Sequence, residues 1–202
     1  MEIPSAFIAI EGIDGAGTTT LMANLKALLC ADGHTVHTTS EPSRGEAGQL
    51  IRRLLSPDCE IEADSATLAL LFAADRKLHW LAEIEPRLQK GEVVITDRYT
   101  LSSLAYQSIG EDGEWVASLN SKVPSPHLLI YVDIDPAVGM ARITARGKTL
   151  ERLEKLELQH TVRQNYLALY AAYDGPKISL SGTLSPAELA QAAYDACLTL
   201  FS

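Results

Sequence analysis

Apolar residues along this chain fall into two patterns that take turns. One is a short, mostly apolar run, as at residues 6–10 (Ala-Phe-Ile-Ala-Ile), 92–96, 128–132 and 177–180. Such runs predict strands buried on both faces of a parallel sheet, where neither side of the pleat meets water. A fifth, more polar strand is predicted over 34–38. In the other pattern, apolar residues recur every three or four positions. Leu21, Leu25, Leu28 and Leu29 form such a stripe and predict a helix over 18–32, stopped by Gly33 where a helix C-cap favours glycine. Further helices are expected over 49–55, 63–90, 100–107, 114–121, 136–145, 151–173 and 185–200. Pro86 should bend or break the long one, because proline removes a ladder hydrogen bond. Pro136 and the Ser185-Pro186 pair read as helix starts. Strands alternating with helices imply an α/β protein: a five-stranded parallel sheet flanked by helices, three layers deep, with ligands at the carboxyl ends of the strands.

Bulk properties narrow the picture. With 202 residues, 47% hydrophobic and 21% charged, the chain can bury a full core, and residues 1–202 read as one domain. The formal net charge of −9 argues against a nucleic-acid polymer as partner, since such binding rests on lysine and arginine neutralising phosphates. A few arginines focused on one small anion remain compatible with it. Cys30, Cys59 and Cys197 are far apart and form no CxxC pair, the usage of reduced cytoplasmic thiols. The histidines show no zinc-ligand spacing, and His34 and His37 read as surface. No apolar run approaches the roughly 20 residues that span a bilayer. The first residues lack the basic segment of a secretory signal. A cytoplasmic protein with no membrane partner is expected.

The candidate chemistry begins directly after the first strand. Gly12-Ile13-Asp14-Gly15-Ala16-Gly17-Thr18-Thr19 fits GxxxxGK[ST] at every fixed position except the lysine, which is Thr18. Between a buried strand and a helix, such a loop curls backbone N–H groups around a phosphate, and the helix N-terminus adds positive potential. Gly12, Gly15, Ala16, Gly17, Thr18, Thr19 and Thr20 are the candidate ATP and phosphate ligands. Thr19 stands where a hydroxyl ligates Mg²⁺. Thr18 offers a hydroxyl but no charge, so the charge on the transferring phosphoryl needs another cation. Asp97, at the end of the 92–96 strand, stands where the second Mg²⁺-side carboxylate belongs. Taken alone it reads equally well as a helix N-cap.

Three blocks in this order and spacing resemble the thymidylate kinase family: residues 7–17, Leu71-Phe72-Ala73-Ala74-Asp75-Arg76, and Asp97-Arg98-Tyr99 through Ser102-Ser103-Leu104-Ala105-Tyr106-Gln107. Ala145-Arg146-Gly147 with Glu151-Arg152-Leu153-Glu154 is similar to the family's lid, placed at about 145–152. The resemblance covers nearly the whole chain. It implies a P-loop NTPase fold, MgATP as donor, dTMP as acceptor and a homodimer. Phe72 would stack on thymine, as an aromatic face can on any base. Arg76, Ser103 and Gln107 would meet the base, and Tyr106 the deoxyribose. Asp14 would hold the sugar 3′-hydroxyl. Arg98 would grip the monophosphate with its planar, permanently charged fork. Arg44 or Arg52 would also reach that phosphate. Arg146 and Arg152 would close from the lid and supply the charge Thr18 lacks, so the catalytic set is Asp14, Asp97, Arg98, Arg146 and Arg152. Arg142 and Lys148 read as a solvated face.

The leading expectation is therefore an ATP-dependent dTMP kinase making dTDP and ADP. Two alternatives stay open: a kinase for another nucleoside monophosphate, and a non-catalytic nucleotide-binding relative disabled at Thr18.

Overall fold

The structure is a computed structural model and describes residues 5–145 and 156–200. Five strands, β1 (Phe7–Gly12), β2 (Val36–Ser40), β3 (Val93–Asp97), β4 (Leu128–Asp133) and β5 (Lys177–Ser181), form one parallel sheet in the order β2-β3-β1-β4-β5. The expected fold is thus the one observed. All six residues of β1 and all five of β3 are buried, which is why their sequences run apolar without alternation. β2 lies two residues beyond its expected place, and after Val36 its side chains are only half-buried, as suits an edge strand.

One face of the sheet is covered by α1 (Thr18–Ala31), packed on β1 to β3 and on α9 (Pro186–Leu200). The other is covered by α5 (Thr100–Gln107) over β1 and by α8 (Leu156–Ala172) against α5. Phe7 anchors this second face, edge-on to Tyr99 at 4.9 Å and to Trp80 at 5.6 Å. α2 (Glu46–Leu55) and α3 (Ser65–His79) pair beside the sheet, while α6 (Gly113–Asn120) and α7 (Pro136–Ala145) complete the layer.

The long helix expected over 63–90 runs on past Pro86 as one helical path, with its irregularity just ahead of that residue. α3 gives way at Trp80–Ile84 to a π-helical turn, and Pro86 falls in the first turn of α4 (Glu85–Gln89), where its missing N–H costs nothing. The π turn is tied down by its contacts: Glu83 accepts from His37 at 2.8 Å, and buried His79 lies against Thr39 and Glu41. His37 is therefore a half-buried partner of Glu83, contrary to its surface reading. No helix among the described residues is long and apolar enough to cross a membrane.

Candidate active site

Sheet register sets the site. Ile10 of β1 pairs with Asp97 of β3, and Gly12 pairs with Val132 of β4. The carboxyl ends of β3, β1 and β4 therefore open side by side, and the phosphate loop leaves from β1, the middle one of the three. A side chain at Gly12 would place its Cβ 2.8 Å from the Val132 carbonyl oxygen, so the strand end admits only glycine. Gly15 and Gly17 have φ values of 79° and 99°, and Gly17 caps α1 with no side-chain hydrogen bond. The first N–H groups of α1 are thus left to a ligand. α7 presses on the loop from outside, with Arg142 Nη1 donating to the Gly15 carbonyl at 3.4 Å. Arg142 is half-buried at the loop and not part of a solvated face.

The loop borders a cavity of about 180 Å³ whose lining includes Asp14, Gly15, Thr18, Thr19, Asp97 and Arg98. Among the residues lining this cavity Arg98 is the one cation. Thr19 Oγ1 donates to Asp97 Oδ2 at 2.6 Å. Asp97 Oδ1 is buried with no protein hydrogen-bond partner. A carboxylate oxygen withheld from water and left open fits a hard cation or its bound water, as does the neighbouring hydroxyl. The pair Thr19 and Asp97 thus suits Mg²⁺.

Arg98 carries the sharpest backbone feature. Its φ is 72°, a left-handed conformation that costs a non-glycine residue about 1–3 kcal/mol and concentrates at functional sites. A buried carboxylate holds this turn. Glu11 Oε1 accepts from the Tyr99 and Ser102 N–H groups at 2.9 and 3.3 Å, and Oε2 from Ser102 Oγ at 2.6 Å and Tyr166 OH at 3.1 Å. Burial pushes the Glu11 carboxyl above its ordinary value, against the pull of the Ser102 hydroxyl and the Arg98 and Arg76 charges. The guanidinium so placed donates from Nη2 to Asp14 Oδ1 at 2.6 Å and lies over the Tyr106 ring, 5.3 Å from its centroid. Burial disfavours the Arg98 charge, but Tyr106 and Asp14 more than offset it and hold its pKa well above the ordinary arginine value. Asp14 Oδ2 accepts from Tyr106 OH at 3.1 Å and Gln159 Nε2 at 3.0 Å. Asp14, Thr18, Thr19, Asp97, Arg98 and Tyr106 are therefore brought together.

A second group of expected residues lies farther along α3 and α5. Phe72 is half-buried against Ile51, Leu55 and Leu68. Ser103 Oγ and Gln107 Oε1 are buried without protein partners, open valences of the kind a nucleobase edge fills. Arg76 is only 1% exposed. Its Nε donates to Glu41 at 2.8 Å, Nη2 to the Tyr99 carbonyl at 3.0 Å, and Nη1 to Asn120. All three nitrogens have protein partners, so Arg76 braces α3 against α6 and the Arg98 turn. Arg52 folds over the carbonyls of Ser43 and Pro42, while Arg44 is exposed. Arg146 and Arg152, with residues 146–152 of the expected lid, lie outside the described residues.

Sequence reasoning missed Glu11, Gly139, Arg142, Gln159 and Tyr166. Glu11 had a signal, a carboxylate closing an otherwise apolar strand. Gln159 and Tyr166 had none, being ordinary members of a helical pattern.

A family model described as thymidylate kinase matches residues 10–193. A "Probable thymidylate kinase" of Pyrobaculum calidifontis is 44% identical over 173 residues, covering 85% of this chain and 86% of its own. One from Pyrococcus horikoshii is 41% identical over 186 residues, 90% of each chain. The chain belongs to the thymidylate kinase family. The family match extends from the end of β1 into α9, so both residue groups described above lie within its bounds.

Proposed function

We propose that the protein is an ATP-dependent kinase that phosphorylates dTMP, giving dTDP and ADP. Family membership supports the substrates, and the convergence of Thr19, Asp97, Asp14 and Arg98 at one strand end carries the chemistry. An oxygen of the dTMP phosphate attacks the γ-phosphorus of ATP. The bond from that phosphorus to the β,γ-bridging oxygen breaks, and ADP leaves with the electron pair. Mg²⁺, held by the Thr19 hydroxyl and the Asp97 side, would neutralise charge on the donor phosphates. Arg98 holds the acceptor phosphate with its forked donors, pre-oriented by Asp14. The phosphate-loop amides, from Gly12 to Thr20, cradle the donor phosphates, and Arg146 and Arg152 supply the charge that Thr18 does not. Asp14 holds the 3′-hydroxyl, Tyr106 the deoxyribose, and Phe72, Ser103 and Gln107 the base.

The deciding experiment is ADP formation from ATP, Mg²⁺ and dTMP by the natural protein and by Thr18→Lys. dTMP-dependent turnover in the natural protein is expected. Turnover confined to Thr18→Lys would overturn the kinase reading in favour of nucleotide binding alone. A panel of dUMP, dCMP, dGMP, AMP and thymidine separates dTMP from other acceptors.

The protein acts as a homodimer in this reading. The exposed face of α3 and the π turn presents Leu70, Leu78 and Leu81, at 52%, 57% and 50% exposure. Large aliphatic side chains at this helical spacing are the kind a partner covers. Light scattering coupled to gel filtration should give twice the 21.9 kDa chain mass.

A further inference from the structure

Asp14 is held by three protein donors from three separate places. Arg98 takes Oδ1 at 2.6 Å, while Tyr106 OH and Gln159 Nε2 take Oδ2 at 3.1 and 3.0 Å. A carboxylate has about four acceptor positions. With three engaged, the direction of the remaining one is fixed, and a ligand hydroxyl has one way to dock. Arg98 and Tyr106 belong to the acceptor site itself. Gln159 does not: it enters from α8, far away in sequence, and its side chain is buried at 1% exposure.

The chemistry also fixes which way the Gln159 amide points. Its NH₂ must face the carboxylate, because the flipped amide would set its oxygen against Asp14. Its Oε1 then faces the Tyr106 hydroxyl at 3.5 Å, whose single proton goes to the nearer Asp14 Oδ2. One buried amide thus links the two side chains that meet the sugar. Burial raises the Tyr106 hydroxyl's pKa, so it stays a neutral donor near neutral pH.

We infer that Gln159 is a positioning residue for the acceptor sugar. It acts through Asp14 and Tyr106, setting how strictly the 3′-hydroxyl is required without touching the reacting atoms. This inference rests on the reading of Asp14 as the ligand of that hydroxyl.

The test compares dTMP with 3′-deoxy-dTMP as acceptors for the natural protein, Asp14→Asn, Gln159→Met and Gln159→Glu. Gln159→Met keeps the volume of the side chain and removes its donor, and a melting curve close to the natural one shows that it folds. The natural protein should prefer dTMP. In Gln159→Met, kcat/KM for dTMP should fall about tenfold, the scale of one hydrogen bond to a charged group. The KM for ATP should hold, and the preference over the 3′-deoxy acceptor should shrink by a similar factor. In Gln159→Glu the introduced carboxyl can donate to Asp14 only when protonated, so its kcat/KM relative to the natural protein should fall as pH rises from 5.5 to 8. Preference kept by Gln159→Met but lost by Asp14→Asn would overturn the role of Gln159 alone. No preference in the natural protein would overturn the reading of Asp14, and this inference with it.

Discussion

The Thr19 hydroxyl lies 2.6 Å from the Asp97 carboxylate, so the first turn of α1 and the end of β3 meet at one point. The other Asp97 oxygen is buried and open. Asp97→Asn keeps the shape and removes the charge. We expect kcat to fall by about 10²–10³, the cost of losing one preorganised electrostatic group, and the Mg²⁺ concentration for half-maximal rate to rise. Titrating Mg²⁺ at saturating ATP and dTMP checks both. Asp97 caps no helix, since Tyr99 stands at the N-cap of α5 without a side-chain bond, so an unchanged Mg²⁺ dependence would mean that Asp97 does no more than hold Thr19.

Arg98 stands in left-handed backbone at φ 72°. Glycine adopts that conformation freely, whereas alanine is strained there. Arg98→Gly should therefore melt above Arg98→Ala by about 1 kcal/mol of stability, the reverse of the usual order. Both should lose dTMP kinase activity by more than about a hundredfold, since neither replaces the forked donor. Chemical denaturation of the two variants side by side measures the difference.

Glu11 makes stability depend on pH in a definite direction. Burial raises its folded pKa above the ordinary 4.5. As pH climbs past that value the unfolded carboxyl ionises before the folded one, so the contribution is full below 4.5 and is lost through the raised folded value. Glu11→Gln removes that slope. The melting temperature of the natural protein should fall relative to Glu11→Gln as pH rises from 4 towards 7. Parallel curves would show that Glu11 does not titrate there.

A methyl group at Gly139 would lie 2.6 Å from the Asp14 carbonyl oxygen, and one at Gly15 would lie 2.3 Å from the Gly139 carbonyl oxygen. α7 and the phosphate loop thus touch backbone to backbone. Gly139→Ala must push the loop off its strand. We expect about 1–3 kcal/mol of lost stability, as for overpacking elsewhere, and a higher KM for ATP with little change in that for dTMP. Steady-state kinetics with each substrate varied in turn separates the two.

Much of this protein is written locally in its sequence. The apolar strand runs, the strand–glycine–helix order around Gly12 to Thr19 and the Asp97-Arg98-Tyr99 block after a strand each need only their own neighbours to be read. Parallel strands buried on both faces must be apolar, and a loop that wraps a phosphate must be rich in glycine. Helix ends were less legible. The π turn at Trp80–Ile84 comes where His79 and Glu83 meet the β2 residues Thr39 and His37, contacts no local pattern announces. The same holds for Arg76, whose partners Glu41 and Asn120 are 35 and 44 residues away. Gln159 and Tyr166 read as ordinary positions of a helix, and only the packing of α8 against α5 turns them towards Asp14 and Glu11. What the sequence determined by itself was the sheet, the phosphate loop and the family. What the tertiary structure decided was which buried polar groups complete the site, because a hydrogen bond between residues 14 and 159 depends on how layers stack and leaves no period in either segment.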